Sequence, residues 1–124
     1  PVMVNSQVHH ITLNVSDLAE AKDFYSYFFS LQELKKPGSS QNVFWLEASD
    51  GRQIHLRKGD VPEDKGQHLA FLVSDITEAC NKFIEAGIAV TTPSPIGTGL
   101  QAFVHDPSGN RIEIHQVSDS EAEA

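Results

Sequence analysis

An internal repeat limits the folds open to this chain more than any other feature of its sequence. A shift of 58 positions aligns residues 10–17 (HITLNVSD) with residues 68–75 (HLAFLVSD), and it matches Trp45 with Phe103 without a gap. Further matched pairs are Ala21 and Ala79, Tyr25 and Phe83, Gly51 and Gly109, and Ile54 and Ile112. Because a repeated sequence indicates a repeated structural unit, we predict the same unit twice.

Each copy has the pattern of a βαβββ unit. An alternating strand, at 8–15 and again at 67–74, leads into a helix that begins with Asp-x-x-Glu, the spacing of a capping box. Gly87 is placed to cap the end of the second helix. The remaining predicted strands are 32–36, 42–48 and 52–57 in the first copy and 88–92, 100–105 and 111–117 in the second, with turns at 37–40, 50–51 and 107–110.

These elements predict an α+β fold of two tandem βαβββ modules, at 8–57 and 67–117, joined by the polar linker 58–66. With 124 residues, of which 40% are hydrophobic and 21% charged, the chain has the size and composition of a single domain with a buried core, here taken as 1–124.

Composition also excludes several classes of function. The net charge is −8 and no basic stripe is present, so we expect no nucleic-acid partner. No apolar stretch approaches the roughly 20 residues of a membrane span, and the N-terminus lacks the pattern of a signal peptide. The single cysteine, Cys80, excludes an internal disulfide, fits a cytoplasmic location, and is interpreted as a small core residue.

Four polar side chains share the strand face that points away from the helices. Alternation along the strands places Ile11 and Leu13 under the helix and His10 on the opposite face, and the same parity applies to His55, His68 and Glu113. The repeat pairs His10 with His68 and His55 with Glu113, and 45 residues separate the two members within each copy. Three imidazoles and one carboxylate suit a divalent transition metal, so these four residues are the predicted metal ligands.

Other residues of the same face are candidates for binding a substrate. Trp45 and Phe103 are predicted to line a pocket, and His115 to contact the substrate or support Glu113. The two arginines of the face either bind an anionic substrate or are solvated surface residues. His9 and His105 are interpreted as structural, with His105 at a turn. The predicted substrate-binding set is Thr12, Trp45, Arg57, Phe103, Arg111 and His115.

The repeat resembles the vicinal oxygen chelate superfamily, which includes glyoxalase I, bleomycin-resistance proteins, fosfomycin-modifying thiol transferases and extradiol dioxygenases. Residues 10–18 (HITLNVSDL) followed by 24–25 (FY), 67–71 (QHLAF) and 106–113 (DPSGNRIE) carry the resemblance, which covers about 8–117. It implies a glyoxalase/dioxygenase-like cupped mixed sheet with helices outside, often completed in a homodimer, and ligands from the first and last strands of each module.

The resemblance implies a class of reaction but does not identify which reaction of that class this chain catalyses. The chain is similar to bacterial glyoxalase I at His10, His68 and Glu113, although that enzyme has a glutamate at the position of His55. A divalent ion (Zn, Ni, Fe, Mn or Co) would act as a Lewis acid on a small oxygen-chelating substrate, with Glu113 as the catalytic residue that moves a proton. Lyase or isomerase chemistry is favoured; extradiol ring cleavage, or drug binding without catalysis, are the alternatives.

Overall fold

The computed structural model describes residues 2–35 and 42–118, and the chain divides into two compact units, residues 1–60 and 61–124. Each unit contains one helix and one four-stranded mixed sheet, which confirms the predicted α+β class and the βαβββ order. The predicted turn at 37–40 lies outside the described residues.

The first unit is built on a sheet in which the first and last strands are parallel neighbours. Its elements are β1 (His10–Val15), α1 (Leu18–Phe29), β2 (Gln32–Leu34), β3 (Val43–Glu47) and β4 (Gln53–Lys58). The strand order is β1-β4-β3-β2, with β4 antiparallel to β3 and β3 antiparallel to β2. Because β4 lies between β1 and β3, each side chain of β4 can have neighbours on both of those strands.

One face of this sheet packs under α1. The helix begins at the predicted place, because the Asp17 side chain accepts a hydrogen bond from the backbone N–H of Glu20 at 2.9 Å. The helix contacts β3 and β4. Fully buried apolar side chains on this side are Val15, Ala21, Tyr25, Leu46 and Leu56.

The second unit repeats this arrangement with β5 (Leu69–Leu72), α2 (Ile76–Glu85), β6 (Ser94–Ile96), β7 (Gly99–His105) and β8 (Arg111–Gln116), in the order β5-β8-β7-β6. Asp75 caps α2 by accepting from the Glu78 N–H at 3.1 Å. Gly87 takes a φ of +74° beyond the helix end, and the next residue, Ile88, donates to the Phe83 carbonyl, which confirms the predicted cap.

The strand predicted at 88–92 is wrong. The structure has β6 at Ser94–Ile96 instead, and only Val90 of the earlier segment makes a bridge, to Val104. The reason is a local hairpin: Gly97, at a φ of +55°, turns β6 directly onto β7. The predicted strand 67–74 is also shorter, so His68 precedes β5.

Candidate metal centre

In the first unit, two histidines lie on neighbouring parallel strands. Residue Thr12 of β1 is the register partner of His55 in β4, so His10 lies one step diagonally along the same face. The imidazole rings of His10 and His55 are stacked, with centroids 4.1 Å apart and planes 12° apart. The structure therefore brings together the two predicted ligands of this unit.

Trp45 covers the other side of the His55 ring. It is the register partner of His55 on β3, and the two rings are stacked with centroids 4.7 Å apart and planes 10° apart. Because β4 lies between β1 and β3, the His55 imidazole is held between the rings of His10 and Trp45. This leaves His55 only 9% exposed, so the predicted pocket wall Trp45 contacts a predicted ligand directly.

The hydrogen bond of the His55 ring determines which of its two nitrogens has a lone pair that could bind a metal. Its Nε2 lies 2.8 Å from the Gln53 side-chain oxygen, which accepts a hydrogen bond, so in the neutral ring Nδ1 keeps the lone pair. Burial lowers the pKa of His55, and the nearby His10 and His9 lower it further. The Nδ1 atoms of His9 and His10 are 2.9 Å apart, so one ring donates to the other.

In the second unit, His68 and Glu113 form a direct pair. His68 Nε2 lies 2.9 Å from Glu113 Oε1, and His68 Nδ1 donates to the Gly66 carbonyl at 2.8 Å. Glu113 is 8% exposed, and its second oxygen accepts from His115 Nδ1 at 2.8 Å. The Glu113 carboxylate is therefore fixed at both oxygens, with His115 in the supporting position.

The remaining predicted substrate residues divide into two groups. Phe103 is the register partner of Glu113 and makes an edge contact with the His68 ring, at 5.4 Å between centroids. Arg111 lies over Phe103, but its Nε also donates to Asp64 at 3.0 Å. Thr12 and Arg57 are exposed on β1 and β4 of the first unit.

Sequence reasoning missed three groups that orient the histidines. Gln53 shares the strand face of His55, so its contact with that ring could have been found from the i, i+2 spacing. The Gly66 carbonyl and the Asp64 carboxylate lie in the linker, where no periodic pattern exists, and nothing in the sequence pointed to them. His105, interpreted as a turn residue, is bound to Asp64 at 2.9 Å.

The residues fit a divalent metal, although each unit by itself supplies two donors. Within residues 2–35 and 42–118, no group of three or more His, Cys, Asp or Glu side chains is arranged to hold an ion. The fit comes from the His68 pair: a metal-binding imidazole typically donates its other N–H to a carbonyl, as His68 does to Gly66. The other nitrogen of His68 faces Glu113 Oε1 at 2.9 Å, and an imidazole nitrogen and a carboxylate oxygen are both donors that divalent transition metals accept.

Comparison with known sequences identifies the family. Residues 7–114 match the profile of the Glyoxalase/Bleomycin resistance protein/Dioxygenase superfamily. The chain belongs to this superfamily. The match spans both βαβββ units and confirms the resemblance on which the expected fold was based.

Individual relatives carry names from two branches of the superfamily. A Vibrio cholerae protein named "Probable lactoylglutathione lyase" is 32% identical over 97% of both chains. Among solved structures, a glyoxalase family protein from Bacillus anthracis has a TM-score of 0.82 at 24% identity, covering 95% of this chain and 100% of its own. The fosfomycin resistance protein FosX from Listeria monocytogenes, complexed with Mn(II), has a TM-score of 0.79 at 22% identity over 97% and 98% of the two chains. These two solved structures support the fold.

Neither helix within the described residues is long and apolar enough to cross a membrane.

Proposed function

We propose that this chain is a metal-dependent glyoxalase-type enzyme with lyase or isomerase chemistry on a small substrate that presents two neighbouring oxygens. The divalent ion, Zn, Ni, Fe, Mn or Co, would be held by His10, His55, His68 and Glu113. The observation that carries the proposal is the His68–Glu113 pair, in which a carbonyl fixes one imidazole nitrogen and the other faces a nearly buried carboxylate at 2.9 Å. The relatives named as lactoylglutathione lyases support the reaction class.

The bound ion would supply Lewis-acid stabilisation of negative charge that develops on a substrate oxygen. Glu113 would move a proton at the adjacent carbon, because it is the carboxylate among the proposed ligands. His115 lies 2.8 Å from the second oxygen of Glu113 and would keep the carboxylate oriented when the first oxygen exchanges His68 for another partner. Trp45 and Phe103 cover imidazoles of the two donor pairs and would form apolar walls for the substrate.

The proposal is tested first by metal binding. The purified chain is freed of metal and titrated with Ni(II), Zn(II), Mn(II), Co(II) and, under anaerobic conditions, Fe(II), with thermal unfolding and metal analysis as the measurements. We expect a tight site with one of these ions and a higher unfolding temperature in its presence. Absence of binding by every ion would contradict the proposal and favour a protein that binds a small molecule without catalysis.

The second test separates binding from catalysis. Glu113→Gln should retain some metal and lose turnover of a glutathione hemithioacetal by about 100-fold or more, the usual contribution of a general base. Glu85→Gln, at an exposed carboxylate on α2, is the matched control and should retain activity. Full activity of Glu113→Gln would remove Glu113 from the mechanism, whereas oxygen uptake with catechols would indicate a ring-cleaving dioxygenase instead.

The proposal includes a homodimer, which the superfamily resemblance implies, and a cytoplasmic location, which the single cysteine favours. Light scattering of the purified chain, with and without the bound metal, checks the first of these.

A further inference from the structure

The turn that precedes β5 is held by Asp64, a residue outside the proposed ligand set. Its Oδ1 accepts from the backbone N–H of Gly66 at 3.0 Å. Its Oδ2 accepts from His105 Nε2 at 2.9 Å and from Arg111 Nε at 3.0 Å. These contacts lower the pKa of Asp64 to about 2, with the His105 hydrogen bond as the largest cause and the Gly66 bond next, so the carboxylate is charged at neutral pH.

Gly66 connects this carboxylate to the candidate metal centre. Its N–H is bound by Asp64, and its carbonyl accepts from His68 Nδ1 at 2.8 Å. Its φ of +106° lies in the region that favours glycine, and its N–H and carbonyl belong to the two peptide groups that flank its Cα. A change at Asp64 would therefore be transmitted to His68 through a single residue.

The other partners of Asp64 connect the turn to β8, the strand that carries Glu113, and to its neighbour β7. Arg111 begins β8 two residues before Glu113, on the same strand face, and His105 ends the neighbouring strand β7. Asp64 thus ties the 64–68 turn to the ends of β7 and β8. The same turn leads into His68, whose Nε2 lies 2.9 Å from Glu113 Oε1.

We propose that Asp64 is a positioning residue that, by fixing Gly66, keeps the Nδ1–H of His68 on the Gly66 carbonyl and directs Nε2 toward Glu113. The inference rests on the proposed function, in which His68 and Glu113 bind the metal. A merely structural role would predict a loss of stability alone, without a change in the His68 ring.

The test uses Asp64→Asn in the full chain, because asparagine keeps the shape of the side chain and removes its charge and one acceptor. In the metal-free chain, ¹⁵N NMR of the histidine rings, with His68 assigned by a His68→Gln variant, should show hydrogen on Nδ1 of His68 in the wild type and a mixture of Nδ1–H and Nε2–H tautomers in Asp64→Asn. The affinity for Ni(II) should fall by about 10- to 100-fold, the usual effect of losing a group that supports a metal ligand.

Glu63→Gln is the matched control. It lies in the same turn, and its exposed carboxylate is 3.8 Å from Lys65, so both the tautomer and the Ni(II) affinity should stay as in the wild type. If Asp64→Asn does not fold, His105→Gln removes one of the three hydrogen bonds and should shift the tautomer in the same direction by less.

The outcomes separate the two proposals. A folded Asp64→Asn, or His105→Gln in its place, with a wild-type tautomer and wild-type Ni(II) affinity overturns the role of Asp64. A wild-type chain that binds none of the tested ions overturns the proposed function, while a tautomer change in Asp64→Asn would still support the positioning of His68.

Discussion

The turn between β7 and β8 depends on one buried carboxylate, and its removal should destabilise the second unit. Asp106 is 4% exposed. Its Oδ1 accepts from the backbone N–H groups of Ser108 and Asn110, both at 2.9 Å, and its Oδ2 accepts from the Asn110 side chain at 3.0 Å. We predict that Asp106→Ala loses all three bonds and leaves two backbone donors in the turn without this partner.

The expected magnitude follows from these contacts. A hydrogen bond to a charged group contributes about 1.5–3 kcal/mol, and the Asn110 side chain can turn to water, so the two backbone bonds dominate. Water reaches the half-exposed turn in the variant, which reduces the loss to about 2–4 kcal/mol in the free energy of unfolding. With a slope of about 2 kcal/mol per molar urea, the middle of the range for small proteins, the midpoint should fall by about 1–2 M.

Urea unfolding of the metal-free chain, followed by circular dichroism, measures this effect. The control is Asp50→Ala in the corresponding turn of the first unit, where the exposed side chain accepts one backbone hydrogen bond, from Arg52 at 3.0 Å. That variant should lose less than about 1 kcal/mol. Equal losses in the two variants, or a loss below about 1 kcal/mol in Asp106→Ala, would refute the reasoning.

Two further predictions concern other parts of the fold. Because burial lowers the folded-state pKa of His55 from the usual 6.5, the unfolded chain binds more protons below that pH, and the urea midpoint of the metal-free chain should fall as the pH decreases from about 7 to 5. His55→Gln should remove this part of the pH dependence, and a flat wild-type profile would contradict it. Gly99→Ala should cost about 2 kcal/mol or more, because the new Cβ would collide with the Gln116 carbonyl; Gly97→Ala, with a φ of +55° and open space, should cost about 1 kcal/mol in the same urea assay.

The sequence was sufficient for the parts of the fold that local chemistry determines. Asp17 and Asp75 begin the helices because a short acceptor precedes an amphipathic segment, and the structure shows both caps. The prediction failed at 88–92, because Gly97 allows β6 to form at Ser94–Ile96, six residues later than the predicted strand began. A local turn residue can thus override the strand that a repeat predicts.

The contacts of the candidate site were less predictable because they depend on side-chain direction and on the linker. Strand parity placed His55 and Glu113 on the face away from the helices, but it gave no indication that Trp45 would stack on His55. It left His115 either to contact the substrate or to support Glu113, and the structure shows the contact with Glu113. Asp64 lies in a segment with no hydrophobic period, so the sequence could not predict its contacts with Gly66 and β8.

The two units present donor pairs of different charge, and the difference arises at one repeated position. His55 and Glu113 correspond under the 58-residue shift, yet the first is an imidazole whose pKa is lowered by burial, and the second is a carboxylate that contacts two imidazoles. A divalent ion bound by the proposed four ligands would therefore keep one net positive charge. A glutamate in place of His55, as in bacterial glyoxalase I, would cancel it. Because a retained positive charge strengthens attraction to an anionic substrate oxygen, we expect position 55 to set how strongly this chain prefers the ionised form of its substrate.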